Sequence, residues 1–334
     1  KRTGLLALFE EAGISFKGPT PSGLSLSSSK HRVEDLRVED LQARDIGTYE
    51  VNFVIAPRLN AMGRLGQAID SLRLLCTTSS KRSKELAELL GKTNKERQKV
   101  VDEVTLHASE IASKKKWSGA VLLAHESYHE GVIGLAASKL VEEFYRPAIV
   151  FSKGEKISKA SARSISGFNI IEAIRKFDYL TEGAGGHPMA AGFSIKTERL
   201  EEFFDEFEKA SSLLLTSEIL RKKLKIDMEL YFNQINQGLV ENLQKFDPTG
   251  VGNPRPSFVT KGVTIQDLKT VGSEAKHLKL NLEQGRVVFS AIAFNMGNLY
   301  SELSAGQKID IVYSIEENFW NGNRSLQLKV KDIK

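Results

Sequence analysis

The sequence has almost no cysteine and no long apolar run, and each absence narrows the class of protein. Its single cysteine, Cys76, excludes an internal disulfide and a thiolate metal cluster, which agrees with a reducing cytoplasm. No apolar run approaches the roughly 18 residues of a membrane helix, and the opening KRTGLLALFEEAG lacks the pattern of a secretory signal. Net charge is also small. The 47 Lys and Arg against 42 Asp and Glu leave +5, which is compatible with a nucleic-acid partner but does not require one.

The 334 residues predict two or three globular domains. After a helix that ends near Gly13, the pattern predicts a charged helix over residues 68–115, with a break expected at Gly91. Residues 117–215 then alternate strands and helices, which is typical of an α/β domain. From residue 226 short strands dominate, and five or six of them fit a small β-barrel of the OB type, a known binder of single-stranded nucleic acid.

A ten-residue stretch, GAGGHPMAAG at residues 183–192, holds four glycines around one histidine. Glycine at this density predicts that the stretch is neither an ordinary helix nor a strand interior. Consecutive glycine N–H groups can form an anion-binding concavity, and His187 lies where it could touch the anion. The alternative is a tight turn before a strand-like run, with His187 as an ordinary turn residue. The stretch alone leaves both interpretations open.

Two further segments offer groups that suit phosphate oxygens, although each alone also fits a polar surface. The segment APRLNAMGRLG has guanidinium forks, which match phosphate geometry. Its candidates are Arg58, Asn60 and Arg64. The end of a strand-like run offers two hydroxyls and a guanidinium, from Ser161, Arg163 and Ser164. Three phosphate-compatible segments therefore precede a barrel suited to single strands.

Residues 125–129, HESYH, match the zinc signature H-E-x-x-H literally. That signature requires both imidazoles on one face of a helix. Here it directly follows a strand-like run and precedes Gly131. We therefore predict a loop between a strand and a helix at this position rather than a zinc site.

Five segments together resemble the RecJ single-strand-specific exonucleases of the DHH phosphoesterase superfamily. They keep the family's order and read APRLNAMGRLG (56–66), HEGVIGLAASKLVEEFYRPAIVF (129–151), SARSISGFNIIEAI (161–174), GAGGHPMAAGF (183–193) and FDPTGVGNPRPSF (246–258). The resemblance implies an α/β fold plus a small β-barrel. Its predicted domains are the end of the catalytic core with an arginine loop (1–66), a long connecting helix (67–116), a DHH-associated α/β domain (117–215) and an OB-fold (226–334).

In that family Mn²⁺ or Mg²⁺ activates a water that attacks the DNA phosphate. The metal ligands are aspartates and an Asp-His-His motif, and this sequence contains no Asp-His-His. Asp35, Asp40 and Asp45 lie in a charged segment without strand character. Since the first residue is also lysine, we expect a carboxy-terminal part of a longer protein, with no metal ligands in this chain.

The resemblance also assigns roles to residues of the matching motifs. Ser161 and Arg163 match a pair that holds DNA phosphates, and Arg64 matches an arginine that faces the active cleft. Gly185, Gly186 and His187 match a turn over the scissile phosphate. His187 is the candidate catalytic residue, as a donor to a developing phosphorane oxygen. Arg58, Asn60 and Ser164 complete the candidate substrate-binding set. The OB candidates are Lys279, Phe319, Trp320 and Arg324, with barrel core as the alternative for the aromatic residues.

The function implied is that of a cytoplasmic 5′-3′ exonuclease of DNA recombination and repair, whose substrate-binding part is this chain, inactive alone. The implied partners are single-stranded DNA and a single-strand-binding protein or helicase, without a membrane. One alternative is a non-catalytic accessory protein that binds single strands. Another is a DHH-family phosphodiesterase that acts on short oligonucleotides, which the OB-like tail disfavours because small substrates do not need it.

Overall fold

The computed structural model of this chain describes residues 2–14, 47–320 and 323–334, without the side chains of residues 318–324. The three aspartates discussed above, Asp35, Asp40 and Asp45, lie outside the described residues. The described chain divides into two compact units, one with residues 2–14 and 50–223 and one with residues 47–49 and 224–334. In this part of the chain, no helix combines the length and the apolarity needed to cross a bilayer.

The first unit begins with a helical layer. It consists of α1 (Thr3–Glu11), a π-helical segment (Glu50–Ile55) that continues into α2 (Ala56–Leu65), α3 (Ala68–Cys76) and α4 (Ser80–Ser113). The helix predicted over residues 68–115 is therefore two helices, and the predicted break at Gly91 is wrong. Ser79 accepts a hydrogen bond from the N–H of Arg82 and caps α4. Gly91 instead allows close packing, because a Cβ there would lie 1.9 Å from Oε1 of Glu11.

A mixed sheet follows in the same unit. In chain order its elements are β1 (Val121–His125), α5 (Ile133–Phe144), β2 (Ala148–Ser152), β3 (Ile157–Arg163), α6 (Ile170–Arg175), β4 (Thr181–His187), β5 (Ala190–Lys196) and α7 (Leu200–Leu214). The strand order is β1-β2-β3-β5-β4, with β1 and β2 parallel and the other neighbours antiparallel.

The two faces of this sheet differ because side chains alternate along each strand. On one face, Phe151 of β2 and Phe193 of β5 contact Phe203 of α7 and form the aromatic core. On the other face, α5 packs against β2 and β3. Gly185 and Gly192 remain exposed on that second face. The uncovered part is therefore a shallow surface of small residues beside the start of α5.

The glycine stretch is a strand, against the prediction that its glycines exclude one. Gly183, Gly185 and Gly186 lie in β4, which is the edge of the sheet. The pairing with β5 shifts between Glu182 and Gly185, and Gly183 has φ 65. The glycines thus permit an irregular edge strand, since they adopt positive φ without steric cost.

The second unit is a closed barrel. Its elements are β6 (Met228–Glu229), α8 (Gln237–Gln244), β7 (Phe258–Val271), β8 (His277–Gln284), β9 (Val287–Ala293), β10 (Lys308–Trp320) and β11 (Asn323–Ile333). The order is β10-β11-β9-β8-β7-β6, and β10 also pairs with β7, which closes five strands on themselves. Alternate residues of β8, Leu278, Leu280 and Leu282, fill the interior. This confirms the predicted OB-like barrel.

Candidate nucleic-acid site

Strand register brings the β3 and β4 motifs to one surface. Arg163 of β3 pairs with Ala190 of β5, which pairs with His187 of β4. Residues opposite one another across a sheet project from the same face, and neighbouring strands lie about 4.8 Å apart. The Cα atoms of Arg163 and His187 are therefore roughly 10 Å apart, with only an alanine between them.

The next set of register partners on the same surface has even smaller side chains. Ser161 pairs with Gly192, and Gly192 pairs with Gly185. The two rows together form an open surface with a hydroxyl and a guanidinium on one side and an imidazole on the other. A chain with phosphate groups could lie across the glycines without meeting a side chain.

Backbone hydrogen bonds fix the turn after His187. The N–H of Ser164 donates to the carbonyl of Met189, and the N–H of Ile170 donates to that of Pro188, both at 3.0 Å. These two bonds connect the segment after β3 to the turn that follows Gly185, Gly186 and His187. Gly186 also needs to be glycine, because a Cβ there would lie 2.3 Å from the carbonyl oxygen of Ala190.

The beginning of α5 forms the third side of the site. A Cβ on Gly134 would lie 2.8 Å from Oγ of Ser161 and 3.0 Å from Nη2 of Arg163. The first N–H groups of a helix have no partner within the helix and attract anions. Arg64, at the end of α2, donates from Nη1 to the carbonyl of Gly131 at 3.0 Å. The predicted residues Arg64, Ser161 and Arg163 thus come together at a helix N-terminus.

The site contains several positive charges. Burial, and then the positive charge of Arg64, lower the pKa of Arg163, and the same two causes in the same order lower the pKa of Arg97 on α4. Among the described residues, none of these three arginines forms an ion pair with a carboxylate. Such a cluster is suited to an anion that supplies the missing negative charge.

Sequence reasoning missed Arg97 and Gly134. Gly134 lies within the quoted HEGVIGLAASKL segment, where a glycine inside a helical pattern indicates a packing constraint. Arg97 follows Asn94 by three residues on α4, so a polar pair on one helix face was visible. Nothing in the sequence indicated that this pair would lie near β3, which begins 60 residues later.

Three predicted residues lie elsewhere or are already engaged. Nε of Arg58 donates to Oε2 of Glu11 at 2.7 Å, and its Nη1 donates to the carbonyl of Val54. Arg58 therefore ties α1 to α2. The buried hydroxyl of Ser164 donates to the carbonyl of Phe168 at 2.6 Å and does not reach the open surface. Asn60 is exposed on α2.

The H-E-x-x-H segment forms a loop, as predicted. His125 ends β1 and His129 precedes α5, so the two imidazoles do not share a helix face. Nδ1 of His129 accepts from the N–H of Gly131, and His125 stacks edge-on against His107 of α4. Within residues 2–14, 47–320 and 323–334, no group of three or more His, Cys, Asp or Glu side chains could hold a metal ion.

A second group of basic residues lies on the outer face of the barrel, where Nζ of Lys329 also lies 3.5 Å from Oε1 of Glu316. Lys269, Lys279 and Ile292 are register partners across β7, β8 and β9, and Ile292 pairs in turn with Lys329 of β11. Nζ of Lys329 lies 5.3 Å from the ring centroid of Phe294, which is half exposed. The side chains of the predicted Phe319, Trp320 and Arg324 lie outside the described part of the structure.

Comparison with known proteins identifies the class. The family model of the DHHA1 domain matches residues 115–212, and that of the RecJ OB domain matches residues 226–332. The single-stranded-DNA-specific exonuclease RecJ of Bacillus subtilis is 34% identical over 87% of this chain, and that of Haemophilus influenzae is 33% identical over 90%. A crystal structure of Thermus thermophilus RecJ with Mn²⁺ superposes on 86% of this chain with 26% identity and a TM-score of 0.75.

The protein is thus a DHHA1-domain protein with an OB barrel. More closely defined, its OB barrel matches the RecJ OB domain, and over these two domains the chain is similar to RecJ proteins. It covers 38% of the length of the Bacillus relative, 53% of the Haemophilus relative and 42% of the Thermus structure.

The described residues of this site do not fit a manganese or magnesium ion. Both metals take oxygen ligands, chiefly carboxylates. The site instead offers arginines, one hydroxyl and one imidazole. These groups suit an anion rather than a metal ion.

Proposed function

We propose that this chain binds single-stranded DNA and seats one phosphate group against Ser161, Arg163 and Arg64 beside the start of α5. The observation that carries the proposal is the cluster of arginines without carboxylate partners among the described residues, facing an open surface of glycines. Two guanidiniums and a hydroxyl supply charge-assisted hydrogen bonds to phosphate oxygens. His187, across the surface, is placed to donate to an oxygen that gains charge during phosphodiester cleavage.

The outer face of the barrel would form a second binding surface for single-stranded DNA. Lysines track the backbone of a single strand, and an exposed aromatic ring offers a stacking platform for a base. Lys279, Lys329 and Phe294 are the residues we assign to these roles. An extended strand favours DNA over a mononucleotide substrate, because a small substrate would leave the barrel without a role.

We further propose that this binding serves a 5′-3′ single-stranded-DNA exonuclease of the RecJ type in the cytoplasm, with repair and recombination as its setting. The full-length relatives are single-stranded-DNA-specific exonucleases. A divalent cation would supply the activated water in the whole enzyme, held by carboxylates other than the residues of this site. A single-strand-binding protein or a helicase is a fitting protein partner for such an enzyme.

The proposal is tested by fluorescence anisotropy with labelled single-stranded DNA carrying either a 5′-phosphate or a 5′-hydroxyl, across a salt series. Arg163→Ala is expected to weaken binding of the 5′-phosphorylated strand by about tenfold, since it removes a charged hydrogen-bond donor worth about 1.5–3 kcal/mol. Arg175→Ala on the exposed side of α6 is the charge-matched control. An unchanged dissociation constant for Arg163→Ala at fixed salt would rule out the assigned role.

A further inference from the structure

We infer that Arg97 is a further phosphate-binding residue, the third guanidinium of the site formed by Arg64, Ser161 and Arg163. The inference rests on the proposed function and adds a residue that belongs to none of the motifs discussed above.

The course of α4 brings Arg97 to the site. The first part of the helix, with Leu86 and Leu90, packs in one cluster with Met62 of α2. The later part, with Val104 and Ala108, packs in the cluster that includes α5 and the sheet. Arg97 lies between these two parts. The helix therefore passes the junction of α2 and α5, where Arg64 bonds to the loop before α5.

The Arg97 side chain is held in place by its own helix. Its Nε donates to Oδ1 of Asn94 at 3.2 Å, and Asn94 is only 4% exposed. Among the described residues, no acceptor is bonded to the two terminal nitrogens. A guanidinium has five N–H donors, so a fork of donors remains for a ligand. An anchored side chain also loses less conformational freedom when a ligand binds.

Electrostatics supports the same placement. Burial and the neighbouring charge of Arg64 lower the pKa of Arg97, while Asp102 acts in the opposite direction without forming an ion pair. Like charges that influence one another in this way repel, and a bound anion would offset the repulsion. A terminal phosphate carries more charge than an internal phosphodiester, so a third guanidinium favours a strand end.

The test compares Arg97→Gln with Arg82→Gln, a matched variant on the same helix whose guanidinium is exposed and paired with Glu85. Binding of 5′-phosphorylated and 5′-hydroxyl single strands is measured by anisotropy across a salt series. Arg97→Gln is expected to weaken binding of the phosphorylated strand by about tenfold and to reduce the salt slope by about 0.7, the value for one phosphate contact on a single strand. Arg82→Gln should bind as the wild type.

Wild-type affinity in Arg97→Gln, together with a loss in Arg163→Ala, would overturn the inference and leave the proposed function standing. Wild-type affinity in both variants would overturn the proposed function itself. If Arg97→Gln does not fold, Arg97→Lys is measured instead. It keeps the charge but not the fork, so we expect a smaller loss of affinity with an unchanged salt slope. Wild-type affinity in the lysine variant would then contradict the inference.

Discussion

Single residues decide whether the proposed phosphate site can form, and Gly134 is the clearest case. It is the second residue of α5, where alanine would favour the helix by about 1 kcal/mol. The same Cβ would come within 3.0 Å of both Ser161 and Arg163. Both neighbours present the tips of side chains, which can move aside without disturbing the core. Stability and binding should therefore respond to this substitution in opposite directions.

We predict that Gly134→Ala keeps or raises the free energy of unfolding by up to about 1 kcal/mol and weakens single-strand binding by about tenfold, or roughly 1.4 kcal/mol. Denaturant unfolding and anisotropy measure the two effects. Gly63→Ala is the control, because its Cβ would meet only Cβ of Ala68 at 3.8 Å. Equal affinities of the two variants would show that Gly134 has no part in the site.

The arginines of one motif show why sequence reasoning could predict only part of the site. Arg58 and Arg64 lie in the same eleven-residue segment with the same chemistry. Arg58 forms an ion pair with Glu11, 47 residues earlier, whereas Arg64 donates a hydrogen bond to the carbonyl of Gly131, 67 residues later. A motif identifies the residue types. The partner of each arginine depends on how the helices pack in three dimensions, and the local spacing of residues carries no information on that packing. Arg97 was missed for the same reason.

Among the elements, those with a strong local period were predictable. The alternation of residues 156–164 predicts a strand, and the structure has β3 there, in which buried and less buried residues alternate. The pattern of residues 132–144 predicts a helix, and the structure has α5 there. Asn169 caps α6, because its side chain accepts a hydrogen bond from the N–H of Glu172. Residue propensities do not predict the glycine-rich strand β4. Its stability comes from pairing with β5, because glycine has no side chain to stabilise a strand.

The barrel contains a buried phenol whose ionisation should affect its stability. Tyr313 of β10 is fully buried, and its hydroxyl lies 2.8 Å from Oγ1 of Thr260. Since the Thr260 hydroxyl donates to the carbonyl of Leu230, the phenol donates to Thr260. Burial raises the pKa of Tyr313 to about 12, against about 10 in an unfolded chain. The folded barrel therefore holds this proton more tightly than the unfolded chain does.

The sign of the pH effect follows from that difference. The stabilisation is fully present below pH 10 and is lost as the pH rises from about 10 to about 12, with a total of about 3 kcal/mol. Tyr313→Phe removes the titrating group, so the free energy of unfolding of the variant should not show this part of the decline above pH 10. Urea unfolding of both proteins between pH 8 and 12 measures it. The lysines are common to both and cancel in the comparison, and parallel curves would contradict the prediction.

At the scale of the whole molecule, each unit has its own cationic surface. The first unit concentrates charge at one point, as suits a single phosphate, while the barrel spreads lysines along a row of strands, as suits a backbone. The two surfaces thus suit different features of a single strand, a terminal phosphate and the sugar-phosphate backbone. The proposed hydrolysis would also need hard metal ligands, which the described residues of these two surfaces do not offer.

We therefore predict that this chain binds single-stranded DNA but does not degrade it when Mn²⁺ is added. The sequence contains no Asp-His-His, and the described residues contain no cluster of three metal-binding side chains. Arginines can hold a phosphate, but they cannot bind Mn²⁺ or activate water on it. The assay follows a 3′-labelled, 5′-phosphorylated strand on a denaturing gel, with anisotropy on the same preparation to establish that the protein is folded and binds. Stepwise shortening of the strand, abolished by a chelator and by His187→Ala, would show instead that the chain has metal ligands of its own.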